Sequence, residues 1–186
     1  MNLFDGSDRA LSVLLGFFGL FVISLEGCSH KIHVAPVSPI VSSTPIDQSL
    51  RVQVPFLAIE GADHMPGVAL LDWPAKNLRS ALIDYVQQRH TFRSVSEEQG
   101  DLTLTLRAWL WMRSREEYRY IVHFESDLGP TSKPAIKSYV VQKEAVGSRV
   151  RWVTASDQVP IAEAVQAALD DLFLQIEEDA TLYGRK

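Results

Sequence analysis

The chain has 186 residues, a formal net charge of −5 and a single cysteine. This mildly acidic balance gives no electrostatic basis for binding nucleic acid, so no nucleic-acid partner is expected. One cysteine excludes both a disulfide within the chain and a structural zinc site built on thiolates, so a folded domain must be stabilised by its hydrophobic core.

The N-terminal segment has the composition of an export signal. Residues 10–25 are apolar and uncharged over about 16 positions, whereas a helix that crosses a bilayer needs roughly 20. We therefore expect residues 1–27 to form a signal peptide that is cleaved. An uncleaved anchor in the inner membrane is the alternative.

Cys28 directly follows this segment, with Leu25 three positions before it and Gly27 immediately before it. This order resembles the lipobox of bacterial lipoproteins. The resemblance implies that the thiol of Cys28 is acylated, that Cys28 becomes the first residue of the mature protein, and that its covalent lipid attaches the protein to a membrane. Ser29 occupies a position where an Asp favours the inner membrane in enteric-type lipoproteins. The resemblance therefore implies the outer membrane, with the protein facing the periplasm. No cofactor other than the covalent lipid is expected.

Residues 28–49 are rich in serine and proline and predict a tether. Proline fixes φ and removes a backbone donor, so this segment is expected to be extended and semi-rigid. Alternatively, part of it lies along the domain as an edge strand. In either arrangement, residues 50–186 are long enough to form a single globular domain.

The domain begins with a predicted strand from Leu50 to Ile59. Val52, Val54 and Phe56 alternate with more polar positions and are expected to share one face. Pro55 cannot donate to a ladder, so this strand is expected at an edge or at a bulge.

Two amphipathic helices are predicted. The first follows Asp72, which is expected to be its N-cap, and has apolar residues at three-to-four spacing from Leu78 to Val86. The second has a continuous apolar face between Ile161 and Ile176. Its other side, which includes Glu177, is expected to be solvated.

Between the helices, alternation of period two predicts strands over 101–113, 118–127 and 136–145, and a short one over 150–153. The element order predicts an α+β fold. It is a two-layer sandwich, in which a mainly antiparallel sheet of about four to five strands carries two amphipathic helices on one face.

One face of the 101–113 strand is rich in leucine and is expected to face the helices. The opposite face carries Arg107, Trp109, Trp111 and Arg113. Indole buries a large area and arginine recognises phosphate or carboxylate, so these four residues are candidates for binding a protein or a lipid headgroup. Alternatively, the tether or the 60–72 loop covers the rings as a second, smaller core.

Catalytic signatures are missing from the sequence. It contains no nucleophile elbow, no Walker loop, no dinucleotide-binding glycine motif and no His/Glu set with metal-ligand spacing. Asp63 and His64 are adjacent in the predicted 60–72 loop, where turn chemistry accounts for them. The sequence therefore predicts neither an enzyme nor a metal site.

The lipobox at Cys28, the proline-rich segment and the element order together resemble small envelope lipoproteins. The similar families are the lipopolysaccharide-assembly lipoprotein that plugs an outer-membrane barrel and the auxiliary lipoproteins of ABC-type lipid transport. The resemblance implies a non-enzymatic accessory or assembly subunit of an envelope complex, with an envelope protein as its partner. The alternative is a ligand-binding lipoprotein that holds a lipid or a cell-wall fragment.

Overall fold

The computed structural model describes residues 28–61, 69–114, 117–147 and 158–184. Within these ranges the chain forms seven strands, two α-helices and one short 3-10 helix. In chain order they are β1 (Cys28–Lys31), β2 (Ile46–Gly61), β3 (Ala69–Asp72), α1 (Ala75–Arg89), β4 (Phe92–Ser96), β5 (Leu102–Ser114), β6 (Tyr118–Pro130), β7 (Lys137–Val146), α2 (Gln158–Glu178) and the 3-10 helix (Ala180–Tyr183).

Five of these strands form one sheet, in the order β4-β2-β5-β6-β7. β5, β6 and β7 are antiparallel neighbours, but β2 is parallel to both β4 and β5. The sheet is therefore mixed, and the expectation of a mainly antiparallel sheet is wrong. The helix α1 returns the chain to the end where β2 began, which makes β4 parallel to β2.

Both helices pack on the same face of the sheet, as the α+β prediction requires. α1 lies against β2 and β4, and α2 lies against β6 and β7. The leucine-rich face of β5 is buried beneath them, together with the apolar faces of both helices. α1 begins after Pro74 without a side-chain cap, so the expectation that Asp72 caps it is wrong. The backbone oxygen of Asp72 instead accepts a hydrogen bond from the amide of Ile32.

A bulge in β2 changes which of its side chains face the helices. The register between β2 and β5 shifts between Gln53 and Phe56, a stretch that contains Pro55. Val52 faces the core before the shift and Leu57 packs against it afterwards. Phe56 is 43% exposed on the opposite, outer face. The expectation that Phe56 shares a face with Val52 is therefore wrong, because one extra residue inverts the alternation.

Residues 31–46, which we call the strap, run along the helix layer. The side chain of Ile32 is only 1% exposed. Further along, the amide of Val37 donates to the side-chain oxygen of Gln166 in α2 at 2.9 Å, and the amide of Ser42 donates to the carbonyl of Arg89 in α1 at 2.7 Å. The segment is extended, but it lies against the protein and contacts both helices.

A buried ion pair joins the last turns of the two helices. The guanidinium of Arg89 donates to both carboxylate oxygens of Glu177, whose side chain is 9% exposed, so the expected solvated position of Glu177 is wrong. Burial alone would raise the pKa of Glu177. Hydrogen bonds from Arg89, Thr91 and Ser42, together with the positive charge of Arg89, instead hold that pKa below its ordinary value.

Candidate functional site

Cys28, the predicted acylation site, is the first residue of β1. Its backbone is in register with Ala69 of β3, and β1 continues directly into the strap. The hydrogen bond from the amide of Ile32 to the oxygen of Asp72 extends this pairing by one residue. The backbone of the predicted acylation site is therefore paired with the fold.

The four predicted binding residues of β5 lie on the face of the sheet opposite the helices. Trp109 and Trp111 are half-buried there, Arg107 is half-buried, and Arg113 is exposed. Alternation explains this placement, because Leu104, Leu106, Ala108 and Leu110 on the other face fill the core.

Aromatic rings on three strands form a cluster on this outer face. The ring of Trp109 lies 5.2 Å from that of Phe56 and 5.4 Å from that of His123, and the ring of Trp111 stacks on His123 at 5.3 Å. We call Phe56, Trp109, Trp111 and His123 the outer aromatic cluster. Sequence reasoning missed two of its members. The β5–β6 register, which pairs Trp109 with His123, was the signal that could have located His123.

Arg107 is already paired within the sheet. Its guanidinium lies 3.4 Å from Glu125 and 3.1 Å from Asp127, both on the neighbouring strand β6. Nε2 of His123 lies 3.5 Å from the same Glu125. This border of the cluster therefore carries two carboxylates and one guanidinium. The guanidinium of Arg107 is engaged by these two carboxylates and holds them in place.

Arg113 has a different environment at the other border of the cluster. It stands directly opposite Arg119 in the β5–β6 register, and Arg119 forms an ion pair with Glu144 at 2.6 Å. Among the described residues, Arg113 has no ion-pair partner. Like charges in opposite positions of an antiparallel pair are destabilising, so this arrangement does not serve the stability of the sheet.

An open cleft of about 340 Å³ lies beside Arg113, lined by Glu60, Gly61, Trp111, Met112 and Arg113. Gly61 has a φ of 139°, and a Cβ there would lie 2.1 Å from the carbonyl oxygen of Met112. Only glycine permits this approach of β2 to β5, so the glycine shapes the cleft.

Of the two expected covers for the aromatic rings, the structure places one. The strap contacts the helices, on the other side of the sheet, so it does not cover the outer aromatic cluster. The 62–68 segment of the predicted loop lies outside the described residues. Asp63 and His64 in that loop, and the predicted strand at 150–153, also lie outside them.

Across the described ranges, no group of three His, Cys, Asp or Glu side chains is arranged to hold a metal ion. Within the same ranges, no helix combines the length and apolar character that crossing a bilayer requires.

Neither a protein-family model nor a curated protein matches this sequence. Among solved structures, the fold is similar to a Xanthomonas campestris protein described under DUF330, with a TM-score of 0.56 and 11% identity over 83% of this chain and 98% of that one. Weaker likenesses are a minor lipoprotein from Acinetobacter baumannii (TM-score 0.35, 11% identity, 68% of this chain and 91% of that one) and a candidate lipoprotein from Caulobacter crescentus (TM-score 0.36, 11% identity, 68% and 88%). The first likeness shows a shared fold. None of the three descriptions names a catalytic activity.

Proposed function

We propose that this protein is a bacterial lipoprotein of the cell envelope, attached to the outer membrane by acyl chains on Cys28, and that it is a non-enzymatic accessory subunit. Its outer aromatic cluster docks onto a partner protein of the envelope. The observation that carries the proposal is the position of Trp109 and Trp111, on the sheet face that neither the helices nor the strap covers.

The cluster has the properties of a protein-docking surface. Tryptophan and arginine are enriched among residues that dominate binding energy. Contacts among the rings already restrict their rotamers, so docking costs little additional side-chain entropy. The partner surface that fits is apolar at its centre and carries a basic group opposite Glu125 and Asp127, whose two negative charges exceed the single charge of Arg107.

The test is a double substitution in the intact, acylated chain. Trp109→Ser with Trp111→Ser is expected to abolish recovery of one reproducible envelope partner from solubilised membranes, while the melting temperature falls by only a few degrees. Leu174→Ser is the control, because Leu174 is 49% exposed on α2, on the other side of the sheet.

The competing arrangement gives a different result. If the chain itself covers the two rings as a small second core, the double variant should lose about 3–5 kcal/mol or more of unfolding free energy, as large-to-small core substitutions do. A strongly destabilised double variant would therefore overturn the docking role.

A further inference from the structure

The strand topology places Cys28 at a definite end of the domain, which we call the anchor end. β2 and β5 are parallel and finish together there, with Gly61 in register with Met112. β3 leads directly into α1 and pairs with β1, and the side chain of Gln158, the first residue of α2, donates to the carbonyl of Lys31 at 2.9 Å. Both helices therefore begin at the anchor end.

The described part of the anchor end carries both charges, with Glu60 and Asp72 among its acidic residues, but three of its cations have no ion-pair partner among the described residues. Lys31, Lys76 and Arg113 are exposed there, and none of them forms an ion pair with a described residue. Lys76 lies in the first turn of α1, where a cation opposes the helix dipole and where no acidic residue is present. The first turn of α2 has no acidic residue either.

Both helices finish at the opposite end of the domain. α2 finishes at Glu178 without a basic residue in its last turn. The aligned helix dipoles place their positive ends at the anchor end, whereas the described side chains at each end carry both charges; Arg89 lies in the last turn of α1 and Lys133 in the turn after β6.

We infer that the anchor end contacts the phosphate groups of phospholipids in the leaflet that holds the acyl chains of Cys28, with Arg113 as the principal contact. This inference rests on the proposed acylation. Cations act on a lipid surface only over a short range, about 8 Å at physiological salt, so the contact requires that acyl chains on Cys28 hold this end of the domain against the leaflet.

The cleft beside Arg113 suits a phospholipid headgroup. A guanidinium offers phosphate two parallel hydrogen bonds, and indole is favoured at the level of headgroups. Glu60 is the acidic group that lines the cleft, in register with Trp111 and further from the end than Arg113. It would repel a phosphate but accept the ammonium group of phosphatidylethanolamine. In this orientation the strands run away from the bilayer surface. The face that carries the outer aromatic cluster then lies roughly perpendicular to the bilayer and is accessible to a partner protein.

The test uses the acylated, full-length protein in vesicles of phosphatidylethanolamine and phosphatidylglycerol. Acylation consumes the only native thiol, so Val146→Cys gives a single labelling site. Val146 is exposed at the end of β7, in register with Arg119. An environment-sensitive label there should be shielded from a water-soluble quencher several-fold by the vesicles.

Two matched charge reversals decide the role of Arg113. In the labelled protein, Arg113→Glu should remove most of the shielding. Lys133→Glu, which changes an exposed cation in the turn at the far end, should leave it unchanged. Equal shielding in the wild type and Arg113→Glu, or an unshielded label in the wild type, would overturn the inference.

Additional control experiments distinguish phosphate recognition from other causes of label shielding. Equal shielding in vesicles of a phosphate-free galactolipid would exclude recognition of phosphate. Shielding that increases with the protein-to-lipid ratio would assign the contact to a second copy of the chain. The mass of the N-terminal peptide is measured first, because an unmodified Cys28 would refute the proposed function itself, whereas an acylated protein with an unshielded label refutes only this inference.

Discussion

Arg89 donates from Nε and Nη2 to the two carboxylate oxygens of Glu177, at 2.7 and 2.8 Å, across 88 positions of sequence. Both side chains are buried where the last turns of α1 and α2 meet. The hydroxyl of Thr91 adds a third hydrogen bond to the same carboxylate at 2.8 Å. This pair therefore fixes the spacing of the two helices at one end of the helix layer.

Removing one partner of this pair should be strongly destabilising. Arg89→Met leaves a buried carboxylate without its counter-charge and is expected to lower the unfolding free energy by about 3–5 kcal/mol. Arg89→Met combined with Glu177→Leu should recover most of that loss, because no charge remains buried. Urea denaturation of the three proteins measures both effects. Additive losses in the double variant would contradict this account of the pair.

The same carboxylate predicts a pH dependence of stability. The pKa of Glu177 is lower in the folded protein than its ordinary value of 4.5, so the unfolded state binds its proton first. Its stabilising contribution is complete above pH 4.5 and is lost as the pH falls through the folded-state pKa. Melting temperatures measured at decreasing pH should fall more steeply in the wild type than in Glu177→Gln. Parallel curves would show that other carboxylates, such as Asp171 and Asp179, account for the acid sensitivity.

Two isoleucines of the strap should respond very differently to truncation. Ile32 is 1% exposed whereas Ile40 is 53% exposed. Ile32→Ala is therefore expected to cost about 2–5 kcal/mol of unfolding free energy, and Ile40→Ala less than about 0.5 kcal/mol. Chemical denaturation measures both. Equal, negligible effects would mean that residues 31–46 detach from the helices in solution.

Acylation of Cys28 is tested with a tagged fatty acid. Cells that produce the wild-type chain should yield a labelled protein, and Cys28→Ala should yield none, because the thiol is the acceptor. Ser29→Ala is the matched control and should be labelled like the wild type. Labelling of Cys28→Ala at the wild-type level would contradict the lipoprotein assignment.

The periodicity of apolar residues correctly predicts the strands and helices that bury one regular face. The alternation from Leu102 to Met112 and the apolar stripes of both helices each indicate one buried face, and those faces are buried in the structure. The sequence does not predict β4, because Phe92–Ser96 is five residues long and largely polar and shows no apolar alternation. Its parallel pairing with β2 makes the sheet mixed.

The remaining differences arise from relationships that a local pattern does not contain. A shift of one residue at Pro55 moved Phe56 to the outer face, and a pattern of period two cannot anticipate such a shift. Glu177 has the spacing of a solvated residue, and only a partner 88 positions away makes its burial favourable. In the candidate site, the pattern of β5 predicts four residues on one face. Phe56 and His123 join them only through the registers of β2 and β6 with β5, which the sequence pattern does not contain.

The pairing of β1 with β3 has a mechanical consequence. If Cys28 carries a lipid as proposed, a load applied through that lipid enters the fold at four paired residues and then at the hydrogen bond from Ile32 to Asp72. The next step along the chain withdraws the side chain of Ile32 from the core. Traction at Cys28 therefore reaches the strap and the helix layer before it reaches the five-stranded sheet.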